Sequence, residues 1–205
     1  MTAAYDYLFV TLHRAAAPHV ALAEHLREVA GPALQASGGE VVGQFAPQLG
    51  WANAEGAVLV RWSGAPGDVA PIANAGLLAS ARVDRLTPTI RPADADRPTP
   101  GGVYVHRWFE VEAGAADEFV GLSGEGWKRF ESLFDARIFG LLKAEPSAED
   151  HAAGVVRLLL LTRYASHGVW EESRDPTTEA MQIFARRQQL TRRTWAASTR
   201  LVPAG

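Results

Sequence analysis

From Tyr5 to Leu12 the side chains alternate: Leu8, Val10 and Leu12 make one aliphatic set, and Tyr5, Tyr7, Phe9, Thr11 and His13 make the other. A period of two predicts a strand with two chemically different faces. The period then lengthens. Across Ala15 to Gln35, Val20, Leu22, Ala23, Leu26, Val29 and Ala30 fall at helical spacing, with Pro18 in the first turn and Ser37-Gly38-Gly39 as the stop. Glu40 to Phe45 and Ala57 to Trp62 predict two further strands, separated by the loop Trp51-Ala-Asn-Ala-Glu-Gly56. Asp68 is placed to cap a short helix to Leu78, and Ala81 to Ile90 supplies a fourth strand.

The order βαββαβ lets two crossovers interleave into a four-stranded antiparallel sheet, the ferredoxin-like arrangement. Arg91-Pro-Ala-Asp-Ala-Asp-Arg-Pro-Thr-Pro-Gly-Gly102 then breaks the pattern, since so many prolines and glycines sustain neither strand nor helix. After it the plan starts again. Tyr104-Val-His-Arg-Trp-Phe-Glu-Val-Glu112 repeats the strand opened by Tyr5, and the offset between them also carries Pro47 onto Pro146. A slightly larger offset carries Arg61-Trp62 onto Arg163-Tyr164. The second half reads as strands at Val103 to Val111, Ala136 to Ala144 and Val155 to Tyr164, with a helix over Ala115 to Phe134. A further helix is expected from an Asp175 N-cap and Pro176 to about Thr194, before a closing strand from Trp195 to Val202. The fold class is therefore α+β, two tandem ferredoxin-like units: residues 1–92, a linker over 93–102, and 103–205. A sheet covered by helices on one face leaves the other to form a cavity or an interface.

Composition narrows the partners. With 21% charged residues and a formal net charge of −3, the chain has no general attraction for polyanions, so nucleic acid is not an expected partner. The absence of cysteine removes disulfides, thiolate metal sites and a cysteine nucleophile. The opening residues lack a basic start and a long apolar run, and no stretch approaches the roughly 18 apolar residues that span a bilayer. A cytoplasmic protein without membrane contact is the expectation, and the sheet edges favour a homodimer. His19 and His25 are not four apart, and no carboxylate cluster joins them, so no metal is expected. Gly38-Gly39 and Gly121-Leu-Ser-Gly124 lack the spacing of phosphate-binding loops.

The segment Leu160-Leu-Thr-Arg-Tyr-Ala-Ser-His-Gly-Val-Trp-Glu-Glu-Ser-Arg174 resembles the NIPSNAP-type members of the dimeric α+β barrel superfamily. A strand ending Thr-Arg-Tyr, then a Ser, then Trp-Glu-x-Ser-Arg on a helix is similar to that family's C-terminal unit. Tyr104-Val-His-Arg-Trp-Phe109 is a looser match to its first strand. The resemblance implies ferredoxin-like sheets packed face to face as a dimeric α+β barrel-type arrangement, within one chain when the unit is duplicated. It leaves the reaction open among monooxygenases, lyases, isomerases and non-catalytic interaction proteins. Haem is the one cofactor it makes credible, with His106, His151 and His167 as the C-terminal histidines; otherwise none is expected.

Strand parity nominates the chemistry. Val103, Val105, Phe109 and Val111 form the helix-facing set of the second unit, with Arg107 as an exception. Tyr104, His106, Trp108 and Glu110 oppose them, as Tyr7 and Phe9 oppose the aliphatic set of the first unit. Aromatic walls with a few titratable groups suit a small apolar or aromatic ligand. His106 with a pKa near neutrality is the candidate general base, and Glu110, about 13 Å along the same face, could flank a substrate with it. Arg163 and Tyr164 have opposite parity, so one of them can stabilise an oxyanion, the arginine otherwise pairing with Glu171 or Glu172. Trp51 and Trp170 suit packing or stacking on an aromatic ligand. Arg186-Arg187 and Arg192-Arg193 read as a solvated basic face or as partners of Glu179. The alternative to a site is a sealed interior, because aromatic side chains can fill the roughly 10 Å between packed sheets.

Overall fold

The computed structural model describes residues 3–203. Two compact units emerge: residues up to Thr87 with Arg97–Pro100 and the chain from Ala197 onward, and Pro88–Asp96 with Gly101–Ala196. In the first unit, β1 (Ala4–Leu12), β2 (Gly39–Leu49), β3 (Glu55–Trp62) and β4 (Leu78–Pro88) lie in the order β4-β1-β3-β2. β1 is antiparallel to both neighbours, and β3 to β2. In the second unit, β5 (Val103–Glu112) pairs antiparallel with β7 (Val155–Tyr164), which pairs with β6 (Ala136–Ala144). The first part of β8 (Thr191–Leu201) runs beside β5, and its last residues pair with β2 of the first unit, Leu201 opposite Phe45. Among the described residues no helix is long and apolar enough to cross a membrane.

The alternation assigns the faces as expected. Leu8, Val10 and Leu12 pack with Leu22, Leu26 and Leu34 from the helical stretch that follows β1. Val103, Val105, Phe109 and Val111 pack with Phe119, Trp127 and Phe130 of α4, the helix Ala116–Leu133 if numbered after the three of the first unit, α1 (Pro18–His25), α2 (Gly31–Gln35) and α3 (Ala70–Ala73). Each buried aliphatic or aromatic side chain contributes about 1.5–3 kcal/mol. Asp6 shares the helix-facing parity and is completely buried; it accepts hydrogen bonds from Trp62 Nε1 at 2.8 Å and Arg85 Nε at 3.1 Å.

The helix predicted over Ala15 to Gln35 is one path with a defect. Between α1 and α2, Leu26–Ala30 forms a π-turn in which the Gly31 N–H reaches the Leu26 carbonyl. Pro32 explains it: the proline has no N–H, and in a regular helix its ring would strike the carbonyl four residues back. Gly31 is required there, because a Cβ would stand 2.6 Å from the Leu26 oxygen. The second unit has no such break, and α4 runs for 18 residues.

Both units share a bulge at the same place. The β2–β3 register steps from Val41↔Val60 to Gly43↔Leu59, leaving Val42 extra, and β6–β7 steps from Ile138↔Thr162 to Gly140↔Leu161, leaving Phe139 extra. A glycine follows each.

Several boundaries differ from the sequence reading. β2 continues through Pro47 to Leu49, since proline lacks only a donor and a strand can absorb that. A short helix α5 (Ala148–Ala153) is closed by a Ser147/Asp150 capping box, and α6 (His167–Glu172) is capped by Ser166. The N-cap expected at Asp175 is Thr178: Asp175 Oδ1 instead accepts the N–H and hydroxyl of Thr177, closing a turn before α7 (Glu179–Gln189). That helix stops at Gln189 rather than Thr194, because β8 already begins at Thr191.

A Cβ on Gly140 would lie 2.8 Å from the Arg91 carbonyl oxygen and 2.5 Å from Pro92 Cδ, whereas one on Gly114 meets nothing within 4 Å. Gly140→Ala is expected to lower unfolding stability by about 1–3 kcal/mol, and Gly114→Ala to stay within about 0.5 kcal/mol of wild type. Urea unfolding of both variants checks this; equal midpoints would contradict the bulge packing.

Candidate functional site

The aromatic face of the second unit is packed. Tyr104, His106 and Trp108 are 1%, 1% and 4% exposed and lie across the ladder from Arg163, Leu161 and Leu159 of β7. Trp108 stacks on Trp195 with ring centroids 6.3 Å apart, and the Arg157 guanidinium sits 5.6 Å from the Trp108 ring. The expectation of a near-neutral His106 fails on burial: desolvation of the imidazolium pulls its pKa down to about 3. At neutral pH His106 is an uncharged ring and a weak base. Glu110, at the half-open end of β5, lies 3.8 Å from Arg193.

Arg163 and Tyr164 part as parity requires. Arg163 donates from Nε to the Gly101 carbonyl at 3.1 Å and pairs with Asp135 at 3.4 Å rather than with Glu171 or Glu172. Tyr164 lies among the helix-facing residues, against Phe130 of α4. In the first unit Tyr7 is 1% exposed, and Phe9 meets Trp51 edge-on at 5.2 Å, with Arg82 over its other face. Trp170 packs against the helix-side core beneath Arg174.

Two hollows occupy other places. The first, about 770 Å³, lies in the first unit between the broken helix and β2. Leu26, Pro32, Val41 and Leu201 supply apolar wall, and Arg27 and Arg61 supply charge. Its volume falls within the roughly 300–1,000 Å³ of small-molecule sites. The second, about 30 Å³, lies on the helix side of the second unit. Arg107, Arg174 and Arg187 line it with Thr162, Tyr164 and Ser173. Neither is lined by His106, Trp108 or Tyr7.

Arg187 corrects the reading of a solvated basic face. It is 7% exposed and lies over Phe184, Phe109 and Phe119 at 4.6, 4.9 and 5.1 Å from their centroids. Burial, followed by the charge of Arg107, pulls its pKa down to about 9. Burial raises the pKa of Tyr164, whose hydroxyl bonds to Ser173, so this phenol remains a neutral donor. The signal for this group was available: Arg107 interrupts an otherwise apolar face, and Thr162, Tyr164, Ser173 and Arg174 belong to the segment that carried the resemblance. The partner of Glu179 is Arg129.

No protein-family model and no curated protein matches the sequence. Solved structures do match in shape. A putative monooxygenase from Lactobacillus acidophilus NCFM aligns with TM-score 0.63 and 11% identity, over 100% of this chain and 95% of that one. An anthrone oxidase-like protein gives 0.64 and 14%, over 99% and 92%. A putative chlorite dismutase, TA0507, gives 0.56 and 12%, over 100% and 97%. At such identities the likeness establishes the fold: α+β, with tandem ferredoxin-like units of the dimeric α+β barrel type.

The haem that this fold makes credible does not fit the residues of either hollow. No histidine lines them. His106 points to the face of β5 opposite the arginines, His151 is exposed on α5, and His167 is half-buried at the start of α6.

The buried neutral His106 has a consequence for stability. Between its folded pKa near 3 and the ordinary value of 6.5, the unfolded chain binds the proton and the folded chain does not. Its contribution is therefore complete above pH 6.5 and falls as the pH drops toward 3, by up to about 1.4 kcal/mol per unit. His106→Gln is expected to flatten this slope between pH 7 and 5 in urea unfolding. An unchanged slope would mean that the ring is accessible to protons in the folded protein.

Proposed function

We propose that the protein is a small-molecule enzyme or binding protein whose ligand is an apolar aromatic molecule bearing a phenolic or carboxylate oxygen, held in the hollow of the first unit. The observation that carries this reading is that hollow: about 770 Å³, walled by aliphatic side chains and carrying Arg27 and Arg61. Aliphatic wall accommodates ring systems, while a planar guanidinium binds carboxylate or phenolate oxygen with two donors. Among the described residues Arg27 is engaged only by an exposed pair with the adjacent Glu28 at 3.0 Å, a contact worth little and easily exchanged for a ligand.

The fold neighbours lend support. An anthrone is a tricyclic aromatic ketone in equilibrium with a phenol-type enol, and the fold neighbour described as anthrone oxidase-like carries a name in line with the ligand class inferred here. Guanidinium groups that stabilise an enolate favour proton removal from such a substrate. Cofactor-independent oxygenation, lyase and isomerase chemistry all begin from that anion. The NIPSNAP-type likeness of Leu160–Arg174 belongs to this reading as its family-level component. The nearly inaccessible set Tyr7, Tyr104, His106 and Trp108 serves here as the packed support of the strands rather than as the catalytic group.

The probe is 1-anilinonaphthalene-8-sulfonate, an aromatic anion whose fluorescence rises in apolar surroundings. Wild-type protein is expected to bind it saturably, one per chain. Ala23→Trp places an indole in the hollow lined by Ala23 and is expected to weaken binding at least about tenfold with an unaltered thermal midpoint. Equal binding by wild type and Ala23→Trp would remove the hollow from the function.

A further inference from the structure

Arginines of the second unit are, in general, neutralised. Arg91 pairs with Glu131 at 2.8 Å, Arg157 with Asp150 at 3.0 Å, and Arg192 with Glu112 at 2.5 Å. Arg107, Arg174 and Arg187 depart from this. None is paired with a carboxylate among the described residues, yet all line the same small hollow. Arg107 enters from β5, Arg187 from α7, and Arg174 from the turn after α6. Carboxylates are not scarce in this unit, so these side chains are left uncompensated by placement.

Arg187 is the most exacting of them. It donates from Nη1 to Ser123 Oγ at 3.3 Å, while its buried Nε has no acceptor. Contacts with aromatic faces offset part of the cost of burying a charge, but they supply no hydrogen-bond acceptor. Around the hollow the guanidinium groups are joined by the hydroxyls of Thr162, Tyr164 and Ser173. Ser173 already donates to the Trp170 carbonyl at 2.7 Å. Guanidinium groups are donors only, and hydroxyls can turn to donate. What the lining lacks is a negative acceptor.

We propose that this hollow is an anion site, which takes a small oxyanion: a free tetrahedral ion such as sulfate or phosphate, or the carboxylate head of an organic acid. An oxyanion there accepts from Arg107, Arg174 and Arg187 and supplies the charge that the protein withholds. The volume of about 30 Å³ admits a few oxygen atoms and excludes a macrocycle or a polycyclic body. Arg174 is exposed while Arg187 is buried, so Arg174 stands at the mouth and can admit the ion without disturbing the sheet. The site is separate from the hollow of the first unit, and its occupancy does not depend on the ligand proposed there.

The test is binding of sulfate, inorganic phosphate and benzoate, each against chloride at matched ionic strength, by calorimetry and by thermal midpoint. Saturable binding of sulfate or phosphate identifies a free-ion site, and saturation by benzoate alone identifies a head-group site; either supports the proposal. Arg174→Gln, at an exposed position, is expected to weaken that binding at least about tenfold, while Arg129→Gln, outside the hollow, leaves it unchanged. Arg187→Met should abolish it, and Arg174→Gln carries the test should that variant not fold. No saturation by any of the three anions, or equal affinity in Arg174→Gln and wild type, overturns the proposal.

Discussion

A strand with helices on one side must hand its alternate side chains to two unlike surroundings, and the rest of this molecule follows from that constraint. Leu8, Val10 and Leu12, and later Val105, Phe109 and Val111, satisfy it with hydrocarbon. Two residues do not. Asp6 is buried at the helix-facing side but receives donors from Trp62 and Arg85. Arg107 occupies that side of the other unit with no carboxylate paired to it among the described residues, and Arg174 and Arg187 gather around it. A buried polar group on the wrong parity is either answered by the protein or kept for something else.

The units share a plan down to its irregularities. Ala4 sits opposite Trp62 and Val103 opposite Tyr164, so the aromatic that ends the third strand occupies the same corner in both. The bulges at Val42 and Phe139, each followed by a glycine, match in the same way. Where the units diverge is in their helices. α4 is unbroken and packs with α7 so closely that a Cβ on Gly126 would stand 2.4 Å from the Phe184 ring. The first unit has two short pieces and a four-residue α3 in place of that pair. Its hollow is correspondingly the larger by far.

Strand positions and faces were legible because a period of two survives local noise, and β5 and β7 begin and end within a residue of their expected bounds. Helix ends were less so. Asp175-Pro176 carries a good capping signature, yet Thr178 wins the position because Asp175 spends its oxygen on Thr177. The site was harder still. Parity placed His106 and Trp108 on the right face, but it cannot tell a cavity wall from a packed interior, since both are aromatic and both exclude water. Arg187 was misread for a related reason: a basic pair near a helix end is ordinarily solvated, and its burial depends on Phe109, Phe119 and Phe184, which are distant in sequence.

The interruption at Gly31-Pro32 also bears on how the larger hollow is reached. A helix of 8 residues and another of 5, joined by a π-turn, are each shorter than an isolated helix that persists, so their shape depends on that turn and on contacts with the sheet. Pro32 withdraws one donor from the run, and the π-turn with its Gly31 N–H to Leu26 carbonyl bond is what links the two pieces. The outer wall can therefore yield at that turn at less free energy than any parting of the strands beneath it. A bulky guest could pass through such a breach in the wall while β1, β2 and β3 stay paired, and the rate of that breathing, rather than the width of a permanent mouth, would set how quickly the hollow fills.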